Sequence, residues 1–262
     1  MFDIISEMGE TLIFNIVQLI AGCILAWVLY HFLNKKVKPT EGKFVKDLCL
    51  AVLFIVISMI LPLGSFGIIP IMAALMILGF KPYIILPMFV SSTIFNILIS
   101  FNDISFVWRT GYRRVILAFV IGLAFVFILK ISKISVRLTN FPKFENNKIN
   151  FKGIASIAGD MINKLGIFLV VGIVADTLFN TYVLPGIIDA IFKSASFIPK
   201  YFGSLNVVNP FFILAITLVK AIFDLTRLSA LISFFKPKGF IIYYAGLTAF
   251  TVLLAATAFT NI

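Results

Sequence analysis

Long apolar runs separated by short polar stretches organise this chain from end to end. The runs are Thr11–Leu33, Leu48–Leu63, Gly67–Phe80, Tyr83–Phe101, Val115–Ile134, Leu165–Leu184, Ile187–Phe197, Val207–Phe235 and Gly239–Phe259. None alternates apolar with polar positions as a barrel strand does, and in hydrocarbon a lone segment satisfies its own backbone only as a helix. The pattern predicts an all-α integral membrane protein of about eight to ten membrane helices or half-helices, arranged as two related halves. Gly67–Phe80 has 14 residues, short of the ~20 that span a bilayer, which predicts part of a broken or re-entrant element. Trp27 and Tyr30 stand toward the end of the first run, where amphipathic rings favour the membrane interface.

The polar stretches set the organisation. Residues 1–10 contain Asp3, Glu7 and Glu10 but no Lys or Arg, unlike a secretory signal, so Thr11–Leu33 is expected to be a retained span. Asn34–Asp47 holds five lysines, and Lys130–Lys164 holds seven cations. By the positive-inside rule both stretches are cytoplasmic, an even number of crossings lies between them and the N-terminus faces outward. Arg109, Arg113 and Arg114 beside Asn102–Trp108 run against that rule. The expected division is an N-terminal membrane half at 1–134, a basic cytoplasmic linker at 135–164 and a C-terminal membrane half at 165–262. Phe80-Lys81-Pro82 superposes on Phe235-Lys236-Pro237 at an offset of 155 residues, the pattern an internal duplication leaves.

Composition narrows the function classes. Of 262 residues, 61% are hydrophobic and 13% charged, against roughly 45–50% and ~25% in soluble domains, and mean hydropathy is +1.11. The polar surface of a water-soluble enzyme is missing. A net charge of +11 suggests nucleic acid in a soluble protein, but here the cations fall between apolar runs and act as topology signals. Cys23 and Cys49 form no CxxC or Cys/His pattern, so neither a disulfide framework nor a metal site is expected. The single histidine, His31, sits at the end of the first span. No phosphate-binding loop, dinucleotide fingerprint, HExxH or nucleophile elbow occurs, so the chain is expected to be no enzyme and to need no cofactor.

Chemistry concentrates at four places. Leu61-Pro62-Leu63-Gly64-Ser65-Phe66-Gly67-Ile68-Ile69-Pro70 gathers prolines and glycines inside an apolar region. It reads as an unwound, substrate-contacting break around Gly64, Ser65, Phe66, Gly67 and Pro70, or as a tight hairpin outside the membrane. Ser92, Asn96 and Ser100 are spaced four apart; on a helix they share one face, which lines a pathway or hydrogen-bonds a neighbouring helix. Asp176, deep in its run, is a cation partner, a proton carrier or half of a structural pair. Lys220, Asp224 and Arg227, spaced four and three apart, put an acid between two cations on one helical face. That triad gates a substrate from within a cavity or anchors a helix end. Asp176 has no such neighbour, which makes it the better proton carrier of the two acids.

These residues resemble the predicted-permease family that includes the organoarsenical efflux permeases, whose members carry a motif close to Cys-Ser-Cys-Gly-x-x-Pro. Here Gly64-Ser65-Phe66-Gly67-Ile68-Ile69-Pro70 is followed by Gly79-Phe80-Lys81-Pro82 and Phe89-Val90-Ser91-Ser92-Thr93. A glycine-containing run from Leu165 through Gly166, Gly172 and Asp176, closing at Leu184-Pro185, looks like the opening of the family's second half. Gly64 and Phe66 stand where the motif cysteines would be. The resemblance therefore implies a permease architecture without an arsenic-binding thiolate pair. The expected function is a secondary permease of a bacterial or archaeal cytoplasmic membrane, moving a small solute, with efflux as one direction. The alternative is a non-transporting membrane assembly subunit or an intramembrane enzyme. Expected partners are the lipid bilayer and the solute, with no nucleic acid; a homo-oligomer stays open.

Overall fold

The computed structural model describes residues 2–34, 44–97, 104–132, 136–138, 151–183, 186 and 224–237. Among them run seven α-helices: α1 (Phe2–Leu33), α2 (Phe44–Ile60), α3 (Gly64–Ile77), α4 (Pro82–Ile94), α5 (Ile104–Ile131), α6 (Phe151–Leu178) and α7 (Leu225–Phe234). A π-helical turn at Phe179–Val183 extends α6. One short ladder was not anticipated: β1 (Val136–Leu138) pairs antiparallel with β2 (Phe235–Pro237), Arg137 opposite Lys236. Met8–Leu33, Arg114–Ile131 and Gly153–Val183 are long and apolar enough to cross a membrane, and they mark a helical membrane protein. The runs Ile187–Phe197 and Gly239–Phe259, and Val207–Phe235 before Asp224, lie outside the described residues.

Local chemistry explains where the helices stop. Pro62 disfavours helical backbone at the residue before it, and α2 ends at Ile60. Gly64 then opens α3 with φ +58°, a left-handed value that side chains resist. At the other end of α3 the Phe80 amide reaches Leu75 O and the Gly79 amide reaches Met76 O, with Gly79 at φ +91°. This is a Schellman closure that absorbs the last carbonyls. Pro82, with its preset φ, starts α4. Phe95 turns extended after Ile94, and the Asn96 amide donates to the carbonyls of Ser58 (3.2 Å) and Leu61 (2.8 Å). A residue of the α4 end thus closes the C-terminus of α2.

The short helices sit in the middle. Ile68 through Ala74 and Ile84 through Ile94 are buried all round, as a helix apolar on every face must be. α1 packs on α3, α2 and α5 on α4, and α6 on α1 and α7. The outer helices show the reverse polarity of a soluble bundle. On α1, Ile13, Val17 and Ile24 are exposed while Asn15, Gln18 and Cys23 face inward; on α6, Ile167, Val170 and Val171 are exposed.

Basic segments gather at one end. Lys81 Nζ lies 3.0 Å from Asp47 Oδ2, and the Tyr83 hydroxyl donates to the same carboxylate. Lys130 Nζ stands 3.0 Å from the centroid of the Phe44 ring. The start of α2, the α3–α4 turn and the end of α5 therefore meet at one end of the bundle. Hydrogen bonds to Asp47 and then Tyr83 raise the Lys81 pKa above the ordinary lysine range. Its contribution to the fold is present below that range and is lost only as pH rises through the raised value, so the pair stands at neutral pH. Two boundaries are corrected. Asp47 is not in a loop but buried in α2 at 1% exposure. Residues 151–164, expected in the linker, are the first half of α6, where Asp160 and Lys164 on the exposed face are spaced for helix support. Arg109, Arg113 and Arg114 belong to α5, not to a loop.

α1 and α3 approach so closely that a Cβ on Gly22 would collide with the carbonyl of Gly67, and one on Gly67 would lie 2.8 Å from Gln18 O. Gly166 has nothing within 4 Å of that position. Gly22→Ala and Gly67→Ala are expected to destabilise by about 1–3 kcal/mol through overpacking. Gly166→Ala should be neutral or stabilise by up to about 1 kcal/mol through helix propensity. Detergent melting of the three variants checks this, and equal melting temperatures would contradict the contact.

Candidate functional site

α3 and α7 both begin away from the basic end, and they begin at the same place. Between them, the first half of α1 and the last turns of α6 lies a cavity of about 160 Å³, lined by Thr11, Phe14, Asn15, Gln18, Gly64, Asp176, Asp224 and Thr226. That is room for on the order of five waters at ~30 Å³ each.

Each wall has its own reason to be there. Thr11, Asn15 and Gln18 recur every three or four residues, with Gly22 next, so α1 turns one polar stripe inward. Asn15 is 8% and Gln18 7% exposed, and among the described residues neither side chain makes a hydrogen bond. Gly64 is the one residue type that fits opposite, since a Cβ there would run into the Gln18 amide. Across the cavity, Asp176 Oδ1 accepts the Leu225 amide at 3.1 Å, and Oδ2 accepts from the Asn180 side chain at 2.9 Å. Leu225 is the first residue of α7, and the Leu228 amide bonds Asp224 O at 3.1 Å, which makes Asp224 the N-cap position. A carboxylate on α6 thus caps α7 from outside, where free amides and the helix dipole favour negative charge.

The helix pairs are held alike on both sides. A Cβ on Gly172 of α6 would lie 2.8 Å from Thr226 Cα, and the Ser229 hydroxyl donates to Phe168 O at 2.9 Å. Each short helix therefore meets its long partner at a glycine close to the cavity, as α1 and α3 do at Gly22 and Gly67.

The expected residues divide. Gly64, Asp176 and Asp224 line one cavity, joining the break to two acids far along the chain. Ser65 lies in the first turn of α3. Phe66 is 2% exposed in the core, Gly67 serves the contact with α1 and Pro70 is buried within α3. The non-helical break is Leu61–Leu63 and not Gly64–Pro70, because α3 starts at Gly64. Ser92 and Asn96 do not form a helical stripe: α4 ends at Ile94, the Ser92 hydroxyl returns to Phe89 O at 2.8 Å and Asn96 closes α2. Ser100 and Lys220 lie outside the described residues. Asp224 stands at the N-cap position of α7 and not within a helix. Nor is Asp176 without local partners, given its two donors. Asn15 and Gln18 were missed. The signal was the stripe Thr11, Asn15, Gln18, hidden by averaging hydropathy over the whole run.

Comparison with protein-family models, curated proteins and solved structures finds no match.

Capping across helices makes a graded prediction. Asp176→Ala removes the acceptor for the Leu225 amide and should cost about 1–2 kcal/mol. Asp176→Asn keeps an oxygen at that place and should cost less than half as much. Thermal unfolding of both variants measures the difference, and the opposite order would show that charge, not the cap, holds α7.

Proposed function

We propose that this chain is a multi-pass secondary permease of a bacterial or archaeal cytoplasmic membrane, with the cavity between α1, α3, α6 and α7 as its solute site. The observation that carries the reading is that two short helices, α3 and α7, open their N-termini onto one cavity that buried amides and two carboxylates also line. Broken helices whose ends meet at a polar cavity are the recurring form of a transport site, because their free amides and dipoles handle polar cargo where lipid cannot. Intramembrane acids support the same reading.

Further support comes from the resemblance to the organoarsenical efflux permeases around Gly64–Pro70. The motif's cysteine positions are held by Gly64, which lines the cavity, and Phe66, which is packed in the core. The donors offered are oxygens, so the cargo is a polar solute and not a thiophilic metalloid. The basic end faces the cytoplasm by the positive-inside rule. α3 has 14 residues, about 21 Å at 1.5 Å per residue, so the cavity lies in the half of the membrane away from that end.

A transport role for Gln18 has a signature that a structural role lacks. Among the described residues its buried amide makes no hydrogen bond, and such a group costs stability. Gln18→Leu is therefore expected to keep or raise the melting temperature while lowering transport at least about tenfold, the usual trade between stability and activity. The assay is growth of an expressing strain across metalloids, metal ions and small anions, then uptake into proteoliposomes of whichever solute responds. Full transport by Gln18→Leu would contradict the site.

A further inference from the structure

The two short helices that open on the cavity are not finished alike. At α7 the chain supplies an acid, because Asp176 Oδ1 accepts the Leu225 amide at 3.1 Å. At α3 the N-cap position is Leu63, which makes no side-chain cap and has no acceptor to give. The first bond within α3 runs from the Gly67 amide to Leu63 O at 3.2 Å, so the amides of Gly64, Ser65 and Phe66 precede the ladder. Leu63 is in the right-handed helical region and Gly64 stands at φ +58°. That succession turns consecutive amides to one side and makes an anion-binding hollow.

Donors from α1 stand beside that start. The Gln18 amide lies against Gly64, where a Cβ would run into it, and Asn15 lines the same cavity. The two are 7% and 8% exposed, and among the described residues neither side chain makes a hydrogen bond. Each carries an NH₂ group that can donate to a bound oxygen. Backbone amides, side-chain amides and the positive end of a helix dipole together favour a charged acceptor with more than one oxygen. A space of about 160 Å³ holds a small one.

The geometry points to a carboxylate-binding site at the start of α3, where the acid group of a small solute accepts from the amides of Gly64 to Phe66 on one side and from Gln18 and Asn15 on the other. Bound there, it caps α3 as Asp176 caps α7. The fold itself selects the chemical class: a helix start of the same kind, on the same cavity, is closed by a carboxylate where the chain provides the partner. The assignment concerns the acid end of the solute. As recognition of cargo it rests on the permease reading; as a binding site it stands on the α3 start and the two amides.

The test is thermal unfolding of the full-length protein in detergent, with all anions added as choline salts. Propionate and alanine are compared with propionamide and alaninamide, which match them in shape and lack the carboxylate. At saturation at least one of the two acids should raise the melting temperature by on the order of 3 °C, while its amide, chloride and sulfate give no such shift. Gln18→Leu removes the donor and Gln18→Glu sets a like charge beside the bound acid, so both should lose the shift. Thr93→Val, whose hydroxyl returns to Val90 O away from the cavity, should keep it. No shift with either acid, a shift that the amides or sulfate reproduce, or an undiminished shift in both Gln18 variants overturns the assignment. Uptake into proteoliposomes separates it from the permease reading: a solute carried while no acid stabilises the protein sinks the carboxylate site and leaves the permease standing, and a stabilising acid in a protein that carries no solute does the reverse.

Discussion

A helix that begins inside a protein, away from water, has amide groups that the protein itself must satisfy, and this constraint organises the molecule. α3 begins at Gly64 and α7 at Leu225, each with orphan donors at its first turn. The fold brings the two starts to one cavity, where the Asp176 carboxylate accepts the Leu225 amide and polar side chains from α1 line the wall beside Gly64. Without α6, α7 loses its cap.

The same constraint explains the packing. α3 and α4 are 14 and 13 residues long, about 20 Å each at 1.5 Å per residue, too short to match ~30 Å of hydrocarbon. They are enclosed by α1, α2 and α5, so their ends meet protein instead of lipid. Each end is closed by a specific device: a Schellman turn at Gly79, Asn96 on the carbonyls that end α2, and glycine contacts that bring helix backbones together at Gly22 and Gly172. The Asp47–Lys81 pair closes the bundle where α2 and α4 start.

Much of this was legible because proline, glycine and acid are conspicuous in an apolar chain. Pro62 and Gly64 marked the break, and Asp176 and Asp224 marked the other wall, although they lie more than a hundred residues away. What escaped was set by neighbours. Asn96 sat at helical spacing from Ser92, but the chain turns extended after Ile94 to serve α2, which no local signal announces. The two Phe-Lys-Pro triplets are alike in sequence and differ in shape: Pro82 starts a helix and Pro237 ends a strand, because only the second faces β1. Both do follow a short helix that runs from the cavity toward the basic end, so their likeness reflects placement more than conformation. Asn15 and Gln18 were overlooked because two amides barely lower the mean hydropathy of a long span.

The central claim is that α1, α3, α6 and α7 enclose a wet cavity within the membrane. It is tested most directly by thiol reactivity in membranes, on a background lacking Cys23 and Cys49. Asn15→Cys places a thiol at the cavity, and Ser91→Cys places one in the fully buried α4 core. A small water-soluble alkylating reagent should modify the thiol at position 15 at least about tenfold faster, because thiolate forms only where water reaches. Equal inertness of the two positions would mean that the polar stripe of α1 is dry, and the account would fail.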